Sequence, residues 1–291
     1  MEIKGALAEI LYAFDDNGDL DRDKLKNYIG FLLKNGISGL FVGGIAAETM
    51  SFSKDDRIEW LKAVNDTAGG TPIIFQVNSS KKEDMLSEIK IAEKYADVIS
   101  FSQPYPITLG NDEIISYFGE LCKDTSKPVM LYNEPAVGKP IDIETLKVIL
   151  NKNDNIRYYK DSTHNMIGLH SLLSAGREIS VLAGSDGLIF DIINAGGKGV
   201  VSLVINPFPE LVVKVVDTLL KNRIKEALEL QSIILKVRTI LKKGGLTGGY
   251  RYAMNLVGVD IGQPKFPYSK LNESIKTEMK SQLTSLGLIQ K

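Results

Sequence analysis

The chain has 291 residues, 44% of them hydrophobic and 24% charged, which suits one large barrel or two small domains with a full core. Its 35 Lys and Arg nearly cancel 36 Asp and Glu, leaving a net charge of −1 and no basic footprint for nucleic acid or an anionic membrane. A single cysteine, Cys122, excludes an internal disulfide framework and a Cys-rich zinc site. No apolar run approaches the roughly 20 residues needed to span a bilayer. The N-terminus lacks a signal-peptide pattern, so the chain reads as a soluble cytoplasmic protein.

Short apolar runs alternate with amphipathic stretches. The runs cover 7–14, 39–42, 73–77, 98–101, 129–132, 156–160, 180–183 and 199–203, each bounded by Gly, Pro, Asn, Asp or Ser, as strands are. A turn signal, Asp15-Asp-Asn-Gly18, follows the first run. Leu25, Tyr28, Ile29, Leu32 and Leu33 then recur at helical steps, and further helices are expected near 53–67, 81–95, 111–123, 142–152, 163–175, 186–195 and 207–220. Asp142, Thr163 and Asp186 stand where N-caps start three of them. Eight such pairs fit a closed (β/α)8 TIM barrel over 1–221 better than an open doubly wound sheet. Beyond it, 222–243, 247–257 and 270–287 predict a helical extension (222–291) packed on the barrel.

The site of such a barrel lies where the strands end. The sixth run closes on Lys160-Asp161. Period-two alternation groups Ile156, Tyr158 and Lys160, so Lys160 points into the barrel if Ile156 does. Desolvation there favours the free amine, which attacks carbonyls; a strand-end lysine that simply reaches water has the same pattern. The fifth run ends Tyr132-Asn-Glu-Pro135, and a phenol one strand away can relay a proton, although core tyrosines that satisfy their hydroxyl locally are as common. After the second run, Gly43-Gly44-Ile45-Ala46-Ala47-Glu48 offers backbone amides to an anion. Seven arginines are present and none closes a predicted strand, so a substrate carboxylate falls to such amides and to hydroxyls. His164 and His170, six apart on one expected helix, do not share a face at zinc-ligand spacing, and no metal site is expected. The Asp15, Asp16, Asp19, Asp21 and Asp23 cluster lacks calcium-loop spacing and reads as a solvated turn.

Taken in order, Gly43-Gly44…Glu48, Tyr132-Asn-Glu-Pro135, Tyr159-Lys160-Asp161-Ser162 and Gly184-Ser-Asp186 resemble the N-acetylneuraminate lyase and dihydrodipicolinate synthase family of class I aldolases, essentially along the whole chain. Within it, Ile74-Phe-Gln-Val77 and 132–139 look most like archaeal 2-keto-3-deoxygluconate aldolases. The resemblance implies a homotetramer built as a dimer of dimers. It implies Lys160 as the Schiff-base lysine for pyruvate and Tyr132 as the proton relay. Gly44, Ile45 and Ala46 correspond to the carboxylate loop, and Gly184 and the Val201 carbonyl to backbone lining the pyruvate pocket. It also implies that the covalent imine dispenses with a metal or organic cofactor.

Three departures from the family pattern are visible. Ile45-Ala46 replaces a pair of hydroxyl residues and Ala47 a glycine; Pro106 follows Tyr105 where the family often has a second tyrosine; Val137 stands where the synthases carry an arginine for the aldehyde substrate. The last two speak against a dihydrodipicolinate synthase. The expectation is a lyase that cleaves a 2-keto-3-deoxy sugar acid into a 2-oxo acid and an aldehyde. A dehydratase or condensing enzyme on the same scaffold, and a non-catalytic ligand-binding paralogue, are the alternatives.

Overall fold

The computed structural model describes residues 2–105 and 107–290. Pro106 lies outside them. Eight parallel strands close into a barrel in sequence order, the first pairing with the eighth: β1 (Gly5–Glu9), β2 (Gly39–Val42), β3 (Ile73–Gln76), β4 (Val98–Ser102), β5 (Val129–Asn133), β6 (Ile156–Asp161), β7 (Ser180–Ala183) and β8 (Gly199–Ser202). The crossover helices are α1 (Arg22–Lys34), α2 (Lys54–Thr67), α3 (Lys82–Ala92), α4 (Asn111–Lys123), α5 (Ile143–Lys152), α6 (Met166–Leu173), α7 (Ile189–Asn194) and α8 (Pro209–Leu220), followed by α9 (Ile224–Lys242), α10 (Gly248–Leu256) and α11 (Glu273–Ser285). No helix among the described residues is long and apolar enough to cross a membrane.

The pleat divides the core into two parts. Leu7, Phe41, Ile74, Val98, Met130, Tyr132, Tyr158, Leu182 and Val201 fill the barrel, while a larger cluster lies between strands and helices. One strand breaks its own alternation. The register shifts between Val129 and Met130, so that Val129 pairs with Ile156 but Met130 with Tyr158. Because of this bulge Ile156 packs in the outer cluster while Tyr158 faces the interior, with exposed Arg157 between them. Lys160 therefore follows the phase of Tyr158, not of Ile156.

Several expected boundaries differ. The first apolar run is a strand only to Glu9; residues 10–14 form a buried loop, in which Tyr12 packs on the Phe52 and Trp60 rings and Phe14 meets the C-terminal segment. There Phe14 donates its amide to the Ile261 carbonyl (3.0 Å), and the Arg251 guanidinium lies 4.7 Å from the Phe14 ring centroid. Asp142 caps α5 as expected. Thr163 does not cap α6; Asn165 does, so His164 precedes the helix at φ +61° and only His170 lies on it. Asp186 is no helix cap either: its buried carboxylate accepts from the Ser202 hydroxyl and the Leu203 and Val204 amides, fixing the turn after β8. The acidic cluster is a turn in which Asp15 accepts from the Asn17 and Asp19 amides, while Asp21 caps α1.

A buried ion pair ties the C-terminal helices to the barrel mouth. Arg251 Nε of α10 lies 2.9 Å from Glu48 Oε1 in the loop after β2, and Glu48 Oε2 accepts from the Lys265 amide at 2.6 Å. Both side chains are almost fully buried, so removing one partner strands the other charge. Arg251→Met is expected to cost about 3–5 kcal/mol, and Glu48→Gln combined with it less than the sum. Urea unfolding of the single and double variants checks this; a cost below about 1 kcal/mol for the single change means the pair is not what holds α10.

Candidate active site

Four strands deliver four side chains to one point. In register, Glu9 at the end of β1 pairs with Phe41 of β2, and Tyr132 of β5 with Lys160 of β6. The Lys160 side chain is fully buried, its Nζ 4.1 Å from the Phe41 ring centroid and 3.8 Å from that of Tyr132. Two ring faces and an apolar shaft are poor solvation for an ammonium, and a carboxylate supplies the rest: Glu9 Oε2 lies 2.8 Å from Nζ.

Tyr132 is equally enclosed. Burial, and then the negative charges of Glu9 and Glu134, hold its phenol well above the ordinary tyrosine range. Its hydroxyl donates to Glu134 Oε2 at 2.5 Å, and Glu134 is only partly buried. A proton on the phenol therefore has an acceptor that leads outward. The neighbours within the motif do structural work on the other face of the sheet. Asn133 donates to Ile141 O and Tyr159 Oη, and Asp161 accepts from the Thr163 amide and hydroxyl.

Above these groups opens a cavity of about 250 Å³. Ile45, Ala46, Tyr132, Gly184 and Val201, expected from the sequence, all line it. Lys160 and Gly44 lie behind the lining. Gly44 has a different task from the one expected. A Cβ there would stand 2.2 Å from Glu9 Oε1, so its missing side chain makes room for a carboxylate of the chain itself. The Ala46 amide, kept for a substrate's carboxylate in the sequence reading, points to the same Oε1 at 3.4 Å. Gly184 likewise gives space to the Ser162 hydroxyl, which a Cβ would approach to 2.2 Å.

Part of the wall comes from beyond the barrel: Arg238 and Lys242 of α9, Gly245-Leu246 of the following connection, and Tyr250 of α10. Arg238 and Lys242 bring two basic side chains to the mouth, beside His164 and the carboxylates of Glu134 and Asp186. Burial, followed by the charge of Arg238, lowers the Lys242 pKa. Val137 lies elsewhere, in a second depression with Met50, Asn78, Tyr105 and Tyr117. Sequence reasoning missed Glu9, Glu134 and the α9 cations. Glu9 was detectable as the one acidic residue inside an apolar run; the α9 side chains carried no local signal.

Comparison with known proteins identifies the family and the fold. The model of the dihydrodipicolinate synthetase family matches residues 2–286. A 4-hydroxy-tetrahydrodipicolinate synthase of Methanococcus maripaludis is 27% identical over 290 residues, 99% of this chain and 100% of the relative. An uncharacterized DapA-like lyase of Halobacterium salinarum is 27% identical over 99% of this chain and 95% of its own. Among solved structures, a dihydrodipicolinate synthase superposes with a TM-score of 0.92 at 27% identity, covering 98% of this chain and 100% of the other. A doubly substituted variant of Sulfolobus solfataricus 2-keto-3-deoxygluconate aldolase gives 0.88 at 27% identity, over 99% and 100%.

Proposed function

The chain belongs to the dihydrodipicolinate synthetase family, and we propose that within this family of lyase-type enzymes it cleaves a 2-keto-3-deoxy sugar acid to pyruvate and an aldehyde through an imine on Lys160. The observation that carries the reading is the pairing of Lys160 with Tyr132 at the strand ends, with a proton acceptor behind each: Glu9 on Nζ and Glu134 on the phenol. Arg238 and Lys242 at the mouth give an acidic substrate basic partners.

In this mechanism Lys160 adds to the 2-keto carbon, and water leaves. The protonated imine then withdraws the electron pair of the C3–C4 bond as that bond breaks, which leaves an enamine and an aldehyde. The C4 hydroxyl must lose its proton in the same step. Tyr132 holds its own proton too firmly to act as a phenolate. It receives the hydroxyl proton while passing its own to Glu134, and the reverse transfer protonates the enamine at C3. The reading calls on no metal or organic cofactor. Ile45, Ala46, Gly184 and Val201 shape the pocket around the three-carbon half.

Val137 stands where the synthases carry an arginine for the aldehyde substrate, and it lines a depression other than the Lys160 cavity, whose one arginine, Arg238, sits on α9. Cleavage of 2-keto-3-deoxygluconate-type acids is therefore expected to exceed condensation of pyruvate with aspartate semialdehyde by more than tenfold in kcat/KM. Steady-state rates with both substrates decide it. Faster turnover of the semialdehyde makes the chain a dihydrodipicolinate synthase instead.

A further inference from the structure

We infer that Glu9 is the acid–base catalyst of imine formation, ferrying protons between Lys160 Nζ and the departing carbonyl oxygen. This rests on the Schiff-base reading above and assigns a residue that the family resemblance does not supply.

Three observations place the role on Glu9. Its Oε2 lies 2.8 Å from Nζ, the closest polar contact of the lysine, and Glu9 also lines the cavity from which a carbonyl must arrive. A group that touches both the amine and the substrate space is where a proton shuttle has to stand. Second, the alternatives are missing or occupied. Ile45 and Ala46 bring no hydroxyl, the Ser162 hydroxyl donates to the Gly184 carbonyl, and the Tyr132 hydroxyl donates to Glu134 in the relay that serves C–C cleavage. Third, the local fold is built around this carboxylate. Gly44 leaves it space that any Cβ would take, and the Ala46 amide meets its second oxygen. Glu9 is 5% exposed, and a buried carboxylate is retained only with such partners.

The proton count closes. Lys160 enters as an ammonium and gives one proton to Glu9, becoming the neutral amine. As the C–N bond forms, the carbonyl π pair moves to oxygen, and Glu9 returns the proton to that oxygen. The nitrogen of the adduct, still carrying an extra proton, gives it to Glu9. Glu9 hands this second proton to the hydroxyl, the C–O bond breaks with its pair on oxygen, and water departs. The products are the protonated imine, one water and the Glu9 carboxylate as counter-ion; two protons of the ammonium end on the water. Hydrolysis of the product imine runs the same sequence backwards.

The experiment follows the carbonyl oxygen, independently of C–C cleavage. Pyruvate incubated with enzyme in H2¹⁸O exchanges its keto oxygen each time the imine forms and hydrolyses, which mass spectrometry reads directly. Glu9→Gln keeps the size and the contact with the Ala46 amide but cannot carry protons. It should slow both exchange and cleavage about 100-fold, the lower end for loss of a general acid–base, with KM changed less than about threefold. Glu9→Asp should recover about tenfold of that loss, and circular dichroism establishes that each variant is folded. Should the glutamine variant misfold, the aspartate variant carries the test, its expected position being about tenfold below wild type. Exchange by a folded glutamine variant, or by the aspartate variant in its place, within threefold of wild type overturns the role of Glu9. Absence of both exchange and borohydride-trapped adduct in the wild-type enzyme removes the imine mechanism itself, and this inference with it.

Discussion

Lys160→Met is expected to lower kcat by roughly 10⁴-fold or more and to abolish the borohydride-trapped pyruvate adduct, since among the described residues the other lysine at the cavity, Lys242, stands in its outer wall. Methionine keeps the apolar shaft and the contact with the Phe41 and Tyr132 rings, so the packing of the site survives. The electrostatics do not. Glu9 loses the cation 2.8 Å away and is left charged inside the barrel, a change worth about 3–5 kcal/mol of stability for a buried pair. Adding Glu9→Gln to Lys160→Met should restore most of that stability and none of the activity. Intact-mass analysis after borohydride, peptide mapping, steady-state rates and urea unfolding read the four quantities. An adduct mapped to another lysine, or turnover within tenfold of wild type, would falsify the assignment of the nucleophile.

Tyr132→Phe separates the proton relay from the covalent step. The ring, and with it the 3.8 Å contact to Lys160 Nζ, remains; only the hydroxyl donated to Glu134 is lost. Imine trapping with pyruvate should persist, while cleavage falls by about 10²–10⁴-fold, the usual range for a positioned acid–base group. Deuterium uptake into the pyruvate methyl from D2O should fall in parallel, because protonation of the enamine at C3 uses the same hydroxyl. Cleavage by the phenylalanine variant within threefold of wild type would move the relay to another group.

The barrel was legible because its signal repeats. Seven of the eight strands begin where the apolar runs do, and a single misplaced boundary does not disturb such a count. The first run failed for a physical reason. Residues 10–14 are apolar because Tyr12 packs on Phe52 and Trp60 and Phe14 receives the C-terminal segment, and a covered loop has the composition of a strand. Lys160 was placed correctly, though the step through Ile156 fails. The bulge inserts one residue between Ile156 and Tyr158, and no local composition marks a register shift that is set by the partner strand. Glu9 went unread because it sits 151 residues from Lys160 in sequence; its meaning lies in a contact made only when the barrel closes. Tyr132 and Lys160, by contrast, lie at the ends of consecutive strands, so strand order alone places them close to each other. The cap expectations at Thr163 and Asp186 erred because each side chain is held by a neighbouring turn or strand: Thr163 by Asp161, Asp186 by Ser202.

The cavity is assembled from two stretches of chain with different duties. Its floor belongs to the strands, where Glu9, Tyr132 and Lys160 are locked by pleat and register. Much of its outer wall belongs to α9 and the connection after it, which are not threaded into the sheet. Substitutions in the floor disturb bond making, whereas those at Arg238, Lys242, Gly245 or Leu246 alter only what the mouth admits. On the proposed aldolase reading, substitutions at these positions are expected to trade one aldehyde half for another while the lysine chemistry stays unchanged. A library confined to those four positions is the economical route to a new substrate range.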